Sequence, residues 1–395
     1  MPRPTEIATL KVANLIFEDW ESVWVQHRYG DPYAHFQFTA AEAEPFLGDR
    51  WTALRFKPDD QCMILLAGYV AINGIIVTRQ IAYTATTHAV QLSGKSITWW
   101  ASKSSVESTT GSFDNQPLEQ IFRKVLSYYP CGKKTVGVIN PLPFKKCQCQ
   151  PGETTWDFLE RLCRVRGVVL GSDHLGNFLL IDDHPADTND ALVEGKNIIK
   201  MQCIISKETF YQKYSIFAST NGSDDKKFAA ASEQEADVPG GALIYSHKKT
   251  PAEQPVWNEI ELRQRAANEK LWHEGAEIEA HVTVPGWLKP SGGLWRVGET
   301  VTVWSPMAAL KDYPLAIEQA TFTQDSGSGT VTELKLVKPE LLKVQARHSV
   351  GPIVGDDEPQ NAPAGTEPTP PPATPEQVPL PPGTRLDSSG AIVEN

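Results

Sequence analysis

The sequence predicts an α+β protein that is mainly β: two barrel-like β domains flank a small α+β domain, and an acidic, proline-rich tail follows. Three observations predict it. Short alternating apolar and polar runs recur between turn-forming residues over positions 8–98. A period near 3.6 replaces that alternation over 117–167. From 255 to 337 one amphipathic helix leads into tryptophan-bearing strands with no grouping of residues suited to catalysis. The expected domains are 1–98, 99–190, 191–342 with a helix over 255–275, and 343–395.

In the first domain Leu10–Phe17, Ala34–Phe38, Met63–Val70, Ile75–Tyr83 and Ala89–Ser93 read as strands. Turn chemistry separates them at Gly30-Asp31-Pro32, Pro58-Asp59-Asp60, Asn73-Gly74 and Thr86-Thr87-His88. The Asn73-Gly74 pair predicts a hairpin, because both residues tolerate the positive φ of a type I′ turn.

In the second domain Leu118, Ile121, Phe122, Val125, Leu126 and Tyr129 form a helical stripe between Pro117 and Pro130. Thr154 is placed to cap a second helix, with Asp157 as its partner three residues on and Gly167 at its end. Trp156, Leu159, Leu162 and Cys163 form that helix's buried face. Val168–Leu170 and Asn177–Ile181 then pair around His174-Leu175-Gly176, and Asp182–Asp190 reads as a polar link.

In the third domain Ile198–Ile205 and Tyr211–Ser219 read as strands leading into a long polar loop, Asn221–Gly241. Trp257, Ile260, Gln264, Ala267 and Leu271 recur at gaps of three and four and so share one side of a helix that Gly275 ends. The period then switches to two. Ile278, Ala280, Val282 and Val284 face one way and Glu277, Glu279, His281 and Thr283 the other, as in a half-buried strand.

Two blocks carry a family resemblance. The run VPGWLKPSGGLWRVGETVTVWSP, continued by PLAIEQATFTQDSGSGTVTELKLVKPE, resembles the C-terminal half of the baseplate hub proteins of Mu-like contractile-tail phages. The run from Gln150 through Trp156 to Arg164, ending in Gly167–Leu170, is similar to the same family's middle segment. Together the blocks extend the resemblance over roughly residues 8 to 342. The resemblance implies a homotrimer at the distal end of a tail tube, each subunit giving two tube-like β-barrel domains to a ring of six. Its implied partners are the tail tube or a tube-initiator protein, the central spike protein and baseplate wedge proteins. DNA is expected to pass its channel without specific binding, and no stable membrane insertion is expected. The implied location is the virion, after assembly in the host cytoplasm.

Composition sets further bounds. The 395 residues, 41% of them hydrophobic, supply cores for two or three domains. No run approaches the roughly 18 apolar residues of a membrane span, and Met-Pro-Arg-Pro-Thr-Glu lacks the apolar core of a signal peptide. A net charge of -11 argues against a protein whose main task is nucleic-acid binding. The last fifty-three residues hold three basic and seven acidic side chains, so the tail carries -4 of that total. Eleven prolines lie between Pro352 and Pro382, which predicts an extended or disordered segment that threads along a partner.

The candidate chemical motifs each have a simpler structural reading. Ser93-Gly94-Lys95-Ser96 ends like a phosphate-binding loop, but Ala89 stands where the first glycine belongs. Cys131, Cys147, Cys149 and Cys163 offer four thiols, yet the single-residue gap between two of them is tight for zinc, and buried reduced cysteines are expected. Cys62 and Cys203 complete the set of six. Asp173-His174 and Asp182-Asp183-His184 sit at opposite ends of a hairpin and read as polar caps. Glu153, Asp157 and Glu160, or Glu274, Glu277 and Glu279, are the carboxylates that a peptidoglycan hydrolase would use. Trp99, Trp100, Trp257, Trp272, Trp287, Trp295 and Trp304 are those that a carbohydrate-binding adhesin would expose. The sequence therefore assigns no catalytic, cofactor-binding or metal residue, and the expected function is structural. A hydrolase with paired carboxylates in a cleft and an adhesin with exposed tryptophans are the alternatives.

Overall fold

A computed structural model describes residues 6–41, 56–83, 88–108, 110–182, 186–218, 234–251, 259–344, 384–386 and 392–394. It is mainly β. A 13-stranded sheet runs through Lys200–Ile205, Ile278–Pro285, Gly329–Val337, Leu310–Asp325, Ser22–Arg28, His35–Ala41, His88–Ser96, Tyr69–Tyr83, Gln61–Leu66, Ala8–Val12 and Leu15–Phe17, each strand bonded to the next. Glu299–Ser305 branches from Leu310–Asp325 and carries Ala186–Val193 in parallel. The join between the chain's two β regions is the antiparallel pairing of Ser22–Arg28 with Leu310–Asp325, in the register Arg28↔Gln319 to Val23↔Gln324.

Alternation explains these strands locally. Ile278–Pro285 buries Ile278, Ala280, Val282 and Val284 and turns the residues between them outward, as its sequence predicts. Ser22–Arg28 does the same with Val23, Val25 and His27. One connected set of buried side chains, including Leu10, Phe38, Ile64, Trp287, Phe322 and Leu336, runs through both β regions. Trp287 is fully enclosed; its indole donates to Thr323 O at 3.2 Å, and its backbone N–H donates to Glu6 Oε1 at 2.9 Å. Burying so large an aromatic without stranding its polar atom is what anchors the Pro285–Leu294 turn.

The expected hairpin at Asn73-Gly74 is displaced. The reversal occurs at Ala67-Gly68, both with positive φ (50° and 81°), and Asn73-Gly74 lies inside strand Tyr69–Tyr83. Gly74 serves instead as a point of close approach, since a Cβ there would lie 2.4 Å from Lys95 O. The expected run Leu10–Phe17 is likewise a hairpin, Ala8–Val12 with Leu15–Phe17, that reverses at Ala13.

Between the β regions, helices Leu118–Val125 and Thr155–Arg166 pack on a three-stranded sheet ordered Gly132–Gly137, Asn177–Asp182, Val169–Ser172. Thr154 caps the second helix as predicted: its hydroxyl accepts from Asp157 N at 3.1 Å and donates to Asp157 Oδ2 at 2.7 Å. Gly167 closes it in the left-handed conformation. Part of the expected polar link Asp182–Asp190 belongs to a strand, Ala186–Val193, in which Asp190 and Leu192 are buried.

A second small sheet, Gln234–Pro239, Lys213–Ala218 and His247–Pro251, packs on helix Glu259–Gly275. Part of the expected loop Asn221–Gly241 is thus a strand; residues 219–233 lie outside the described set, as do Trp257, Thr86, Thr87, Asp183, His184 and the Pro352–Pro382 segment. Of the expected stripe, the side chains of Trp257, Ile260 and Gln264 lie outside the described residues; Ala267 and Leu271 are half-buried, whereas Ala266, Asn268, Glu269 and His273 are buried. The reason is aromatic packing on a polar residue: the rings of Tyr211 and Tyr214 lie 5.3 and 5.7 Å from the His273 ring. Gly275 ends the helix where Leu341 backbone atoms approach to 3.0 Å of a would-be Cβ. Taken by itself, the C-terminal unit contains a two-stranded hairpin, Thr384–Leu386 with Ile392–Glu394.

Candidate assembly surfaces

The α+β insert meets both β regions at one buried junction. Tyr29, Val169, Ala316, Val337 and Leu342 pack together there. Asn73 donates its backbone N–H to His174 O at 2.9 Å and its amide to Leu175 O at 3.0 Å. Ser172 Oγ donates to Asp31 O at 3.1 Å, and Arg296 Nη2 to Val70 O at 2.8 Å. Each bond joins segments more than a hundred residues apart or crosses between regions, so the junction fixes the insert on the sheet.

The junction concentrates titratable groups in a place with little water. Burial, with Arg296 and His174 nearby, drives the His27 pKa down to about 3. Burial beside Arg296 lowers His174 to about 4, and burial beside Lys95 lowers His35 to about 4. Asp31 is pushed up to about 6 by burial, with Glu318 adding to the rise and Arg28 opposing it. The imidazoles are held neutral near neutrality, which suits packing and not proton transfer.

The carboxylates weighed for hydrolysis are dispersed among cations. Arg161 holds Glu153 through two bonds of 2.8 and 2.9 Å, and Arg164 lies 3.0 Å from Glu160. Hydrogen bonding from Lys338 puts Glu277 below the usual carboxylate range. Burial works to raise Glu279, but His281 and Lys335 outweigh it and lower that group too. A general acid needs the opposite shift. Glu274 accepts from Gly241 N at 2.8 Å, as a loop anchor.

Ser93–Ser96 lies within strand His88–Ser96. A Cβ on Gly94 would sit 2.2 Å from Ile75 O and 2.3 Å from the Phe36 ring, so this glycine serves packing, and Ser96 Oγ accepts from Ala34 N. Cys131, Cys147 and Cys163 are buried with thiol pKa values raised by burial, that of Cys147 to about 11. No grouping of three potential metal ligands occurs among the described residues. Asp173 caps its turn through Leu175 N and Asn177 N and pairs with Lys134 at 2.9 Å. Trp287 and Trp295 are buried, Trp99, Trp100 and Trp272 half-buried, and Trp304 is 36% exposed. Lys103 Nζ lies 3.7 and 3.9 Å from the Trp99 and Trp100 ring centroids, covering that pair.

One polar grouping escaped the sequence reading. Ser215 Oγ bonds to Asp237 Oδ1 and lies 2.6 Å from His247 Nε2, with Lys213 on Asp237 at 2.8 Å. Its members come from three strands, and only the strand pairing brings them together. The order is wrong for a nucleophile triad, in which the carboxylate holds the far nitrogen of the histidine and not the hydroxyl.

Among the described residues, strand edges also lie on the surface. Lys200–Ile205 ends the large sheet with Ile204 and Ile205 exposed, flanked by exposed Ile199. Leu15–Phe17 ends it on the other side with Ile16 exposed. Such rows of unpaired backbone groups with apolar side chains are templates for further strand pairing. The loop after Pro239 is pinned by Gly240 N→Gln212 O and Gly241 N→Glu274, and presents Leu243, Ile244 and Tyr245 to solvent.

Comparison with known proteins points to phage tail proteins. Residues 103–182 match the family described as baseplate hub protein gp44-like, second domain. The chain resembles the baseplate hub proteins of Mu-like phages. The baseplate hub protein gp44 of Escherichia phage Mu is 23% identical over 352 residues, covering 84% of this chain and 88% of that protein. The crystal structure of the 43 kDa tail protein of prophage MuSo2 from Shewanella oneidensis superposes with a TM-score of 0.73 at 23% identity, over 86% of this chain and 99% of that one. A tail protein from Neisseria meningitidis MC58 gives 0.69 at 16% identity, over 86% and 98%. The hub-like chain therefore has a phage tail-protein fold.

Proposed function

We propose that this protein is the baseplate hub subunit of a Mu-like contractile tail, acting as a homotrimer that joins the six-fold tail tube to the three-fold central spike. In this reading 1–98 and 191–342 are two tube-like β units, 99–190 is the insert between them, and 343–395 is a tail that runs along a partner. Three copies supply six β units, which meets the tube's symmetry on one face and the spike's on the other. The observation that carries the proposal is the pairing of Ser22–Arg28 with Leu310–Asp325. It makes two successive β units one sheet within a subunit and leaves that sheet open at both ends, the arrangement a head-to-tail ring requires. The carboxylates held by cations and the burial of Trp287 and Trp295 favour this reading over a hydrolase or an adhesin. An acidic surplus outside the tail suits a channel that DNA passes without adhering. Wedge proteins bind the outside, and the working location is the virion.

Light scattering on the purified chain across a concentration series tests it. The expected result is a mass three times the 43.6 kDa of one chain. A monomer at every concentration that also fails to bind tube and spike proteins would refute it.

A further inference from the structure

Arg296, His27 and His174 come from three parts of the chain and converge on one stretch of strand Tyr69–Tyr83. Arg296 Nη2 donates to Val70 O at 2.8 Å, the His27 ring lies against the Ala71 backbone, and His174 O accepts from Asn73 N at 2.9 Å. The side chains act on one another: Arg296 and His174 both help to hold the His27 imidazole neutral, and Arg296 does the same to His174. His35 adds a smaller effect of the same sign on His27, and Lys95 acts likewise on His35. The two carboxylates that act on Arg296 are occupied by lysines. Glu299 binds Lys289 Nζ through both oxygens at 2.8 and 2.9 Å, and Asp173 pairs with Lys134 at 2.9 Å. Among the described residues neither forms an ion pair with Arg296. His27 Nε2 is buried and has no hydrogen-bond partner among those residues. A buried polar atom without a partner is costly, and a bound ion or water is one way to relieve it. Arg296 and His174 are only half-buried, so the grouping is reached from solvent.

These groups select an anion. A guanidinium presents a planar fork of donors that fits two oxygens of one oxyanion, and an imidazole donates through both nitrogens once it is protonated. A divalent anion also brings the counter-charge that Glu299 and Asp173 give to their lysines, in a place where scarce water strengthens the attraction. We propose that Arg296, His174 and His27 form a site for a small tetrahedral oxyanion, sulfate or phosphate, that ties the insert to both β regions. Arg296 takes two of its oxygens; the two histidines take up protons as it binds and donate to the others. Binding is therefore linked to proton uptake and tightens as pH falls. The site stands apart from the hub reading and from trimer formation.

Isothermal titration calorimetry of the full chain with sulfate, at constant ionic strength set with sodium chloride, tests it. Sulfate keeps its charge between pH 5.5 and 8, so any change in affinity reports the protein. Saturable binding, tighter at pH 5.5 than at pH 8 by about tenfold or more, is expected. Histidine-resolved hydrogen–deuterium exchange locates it: sulfate should raise the titration of His27 and His174 and leave that of exposed His281 unchanged. Arg296→Met should abolish binding. His174→Gln, which keeps the backbone bond to Asn73, should weaken it about fivefold or more at pH 5.5 and decides the matter if the arginine variant does not fold. Lys200→Met, at an exposed edge of the large sheet, should change nothing. Binding that does not saturate, that is equal at the two pH values, or that survives His174→Gln undiminished overturns the proposal, as does an equal response of His281.

Discussion

Acidification should loosen the junction between the insert and the sheet, and His27 sets the size of the effect. The group titrates at about 3 in the folded chain against an ordinary value of 6.5. Its neutral form is therefore the folded form. Above pH 6.5 neither state binds the proton; as pH falls below 6.5 the unfolded chain takes it up and the folded chain does not, so stability falls. At about 1.4 kcal/mol per tenfold difference, two pH units below 6.5 remove about 3 kcal/mol through this one residue. His174 and His35, both lowered to about 4, act in the same direction; Arg296 beside His27 and His174, and Lys95 beside His35, discourage added charge. Asp31 acts oppositely. Because its folded pKa is pushed up to about 6, the folded state binds its proton first and regains part of the loss between pH 6 and 4. Urea denaturation at pH 7.5, 6.5, 5.5 and 4.5 measures the balance. Replacing His27 with glutamine should remove between about a third and a half of the drop between pH 6.5 and 4.5, since His174 and His35 lose nearly as much each. A wild type and H27Q variant with parallel pH profiles would refute the reasoning, because the penalty would then lie elsewhere.

Other changes have equally definite outcomes. Trp287→Ala removes a fully enclosed indole and should cost about 3–5 kcal/mol in denaturant unfolding. Thr154→Ala removes the cap on Asp157 N and should cost about 1 kcal/mol, whereas the same change at Thr110, an exposed turn residue, should cost less than half of that. Gly94→Ala forces a methyl group against Ile75 O and the Phe36 ring and should cost about 1–3 kcal/mol, which differential scanning calorimetry would register. Deletion after Val344 should leave the melting of the remaining chain unchanged but prevent incorporation into particles, assayed by complementation of tail assembly.

How much was legible in the sequence varied with what enforces each element. Helix Thr155–Arg166 is specified locally, since its cap, its apolar face and its closing glycine all lie within fourteen residues. Strand Ile278–Pro285 is equally plain because one face is wholly apolar. Ser22–Arg28 was missed because a histidine takes one inward position and a tryptophan an outward one, which blurs the alternation. Gly132–Gly137 shows none, being an edge. Ala186–Val193 looks like a link because its pairing partner, Glu299–Ser305, lies more than a hundred residues away. Asn73-Gly74 has turn chemistry, but a sheet crossing claims it. The candidate site followed the same division. The sequence could discount the phosphate loop and the zinc set by spacing, while the Ser215 grouping and the junction histidines exist only through tertiary contact.

The pairing of Ser22–Arg28 with Leu310–Asp325 also has a consequence in time. The two strands are about 290 residues apart in sequence. A ribosome adding about 5–20 residues per second needs on the order of 15–60 s to deliver the second after the first. Throughout that interval the flank of Ser22–Arg28 that will receive Leu310–Asp325 has no partner, although His35–Ala41 on its other side is already synthesised. Closing so long a loop is slow, and an unfilled strand attracts other nascent chains. The seam that unites the two β regions in the finished molecule thus forms late, and the yield of hub-like chains should depend more on chaperone cover during this window than on the stability of either half.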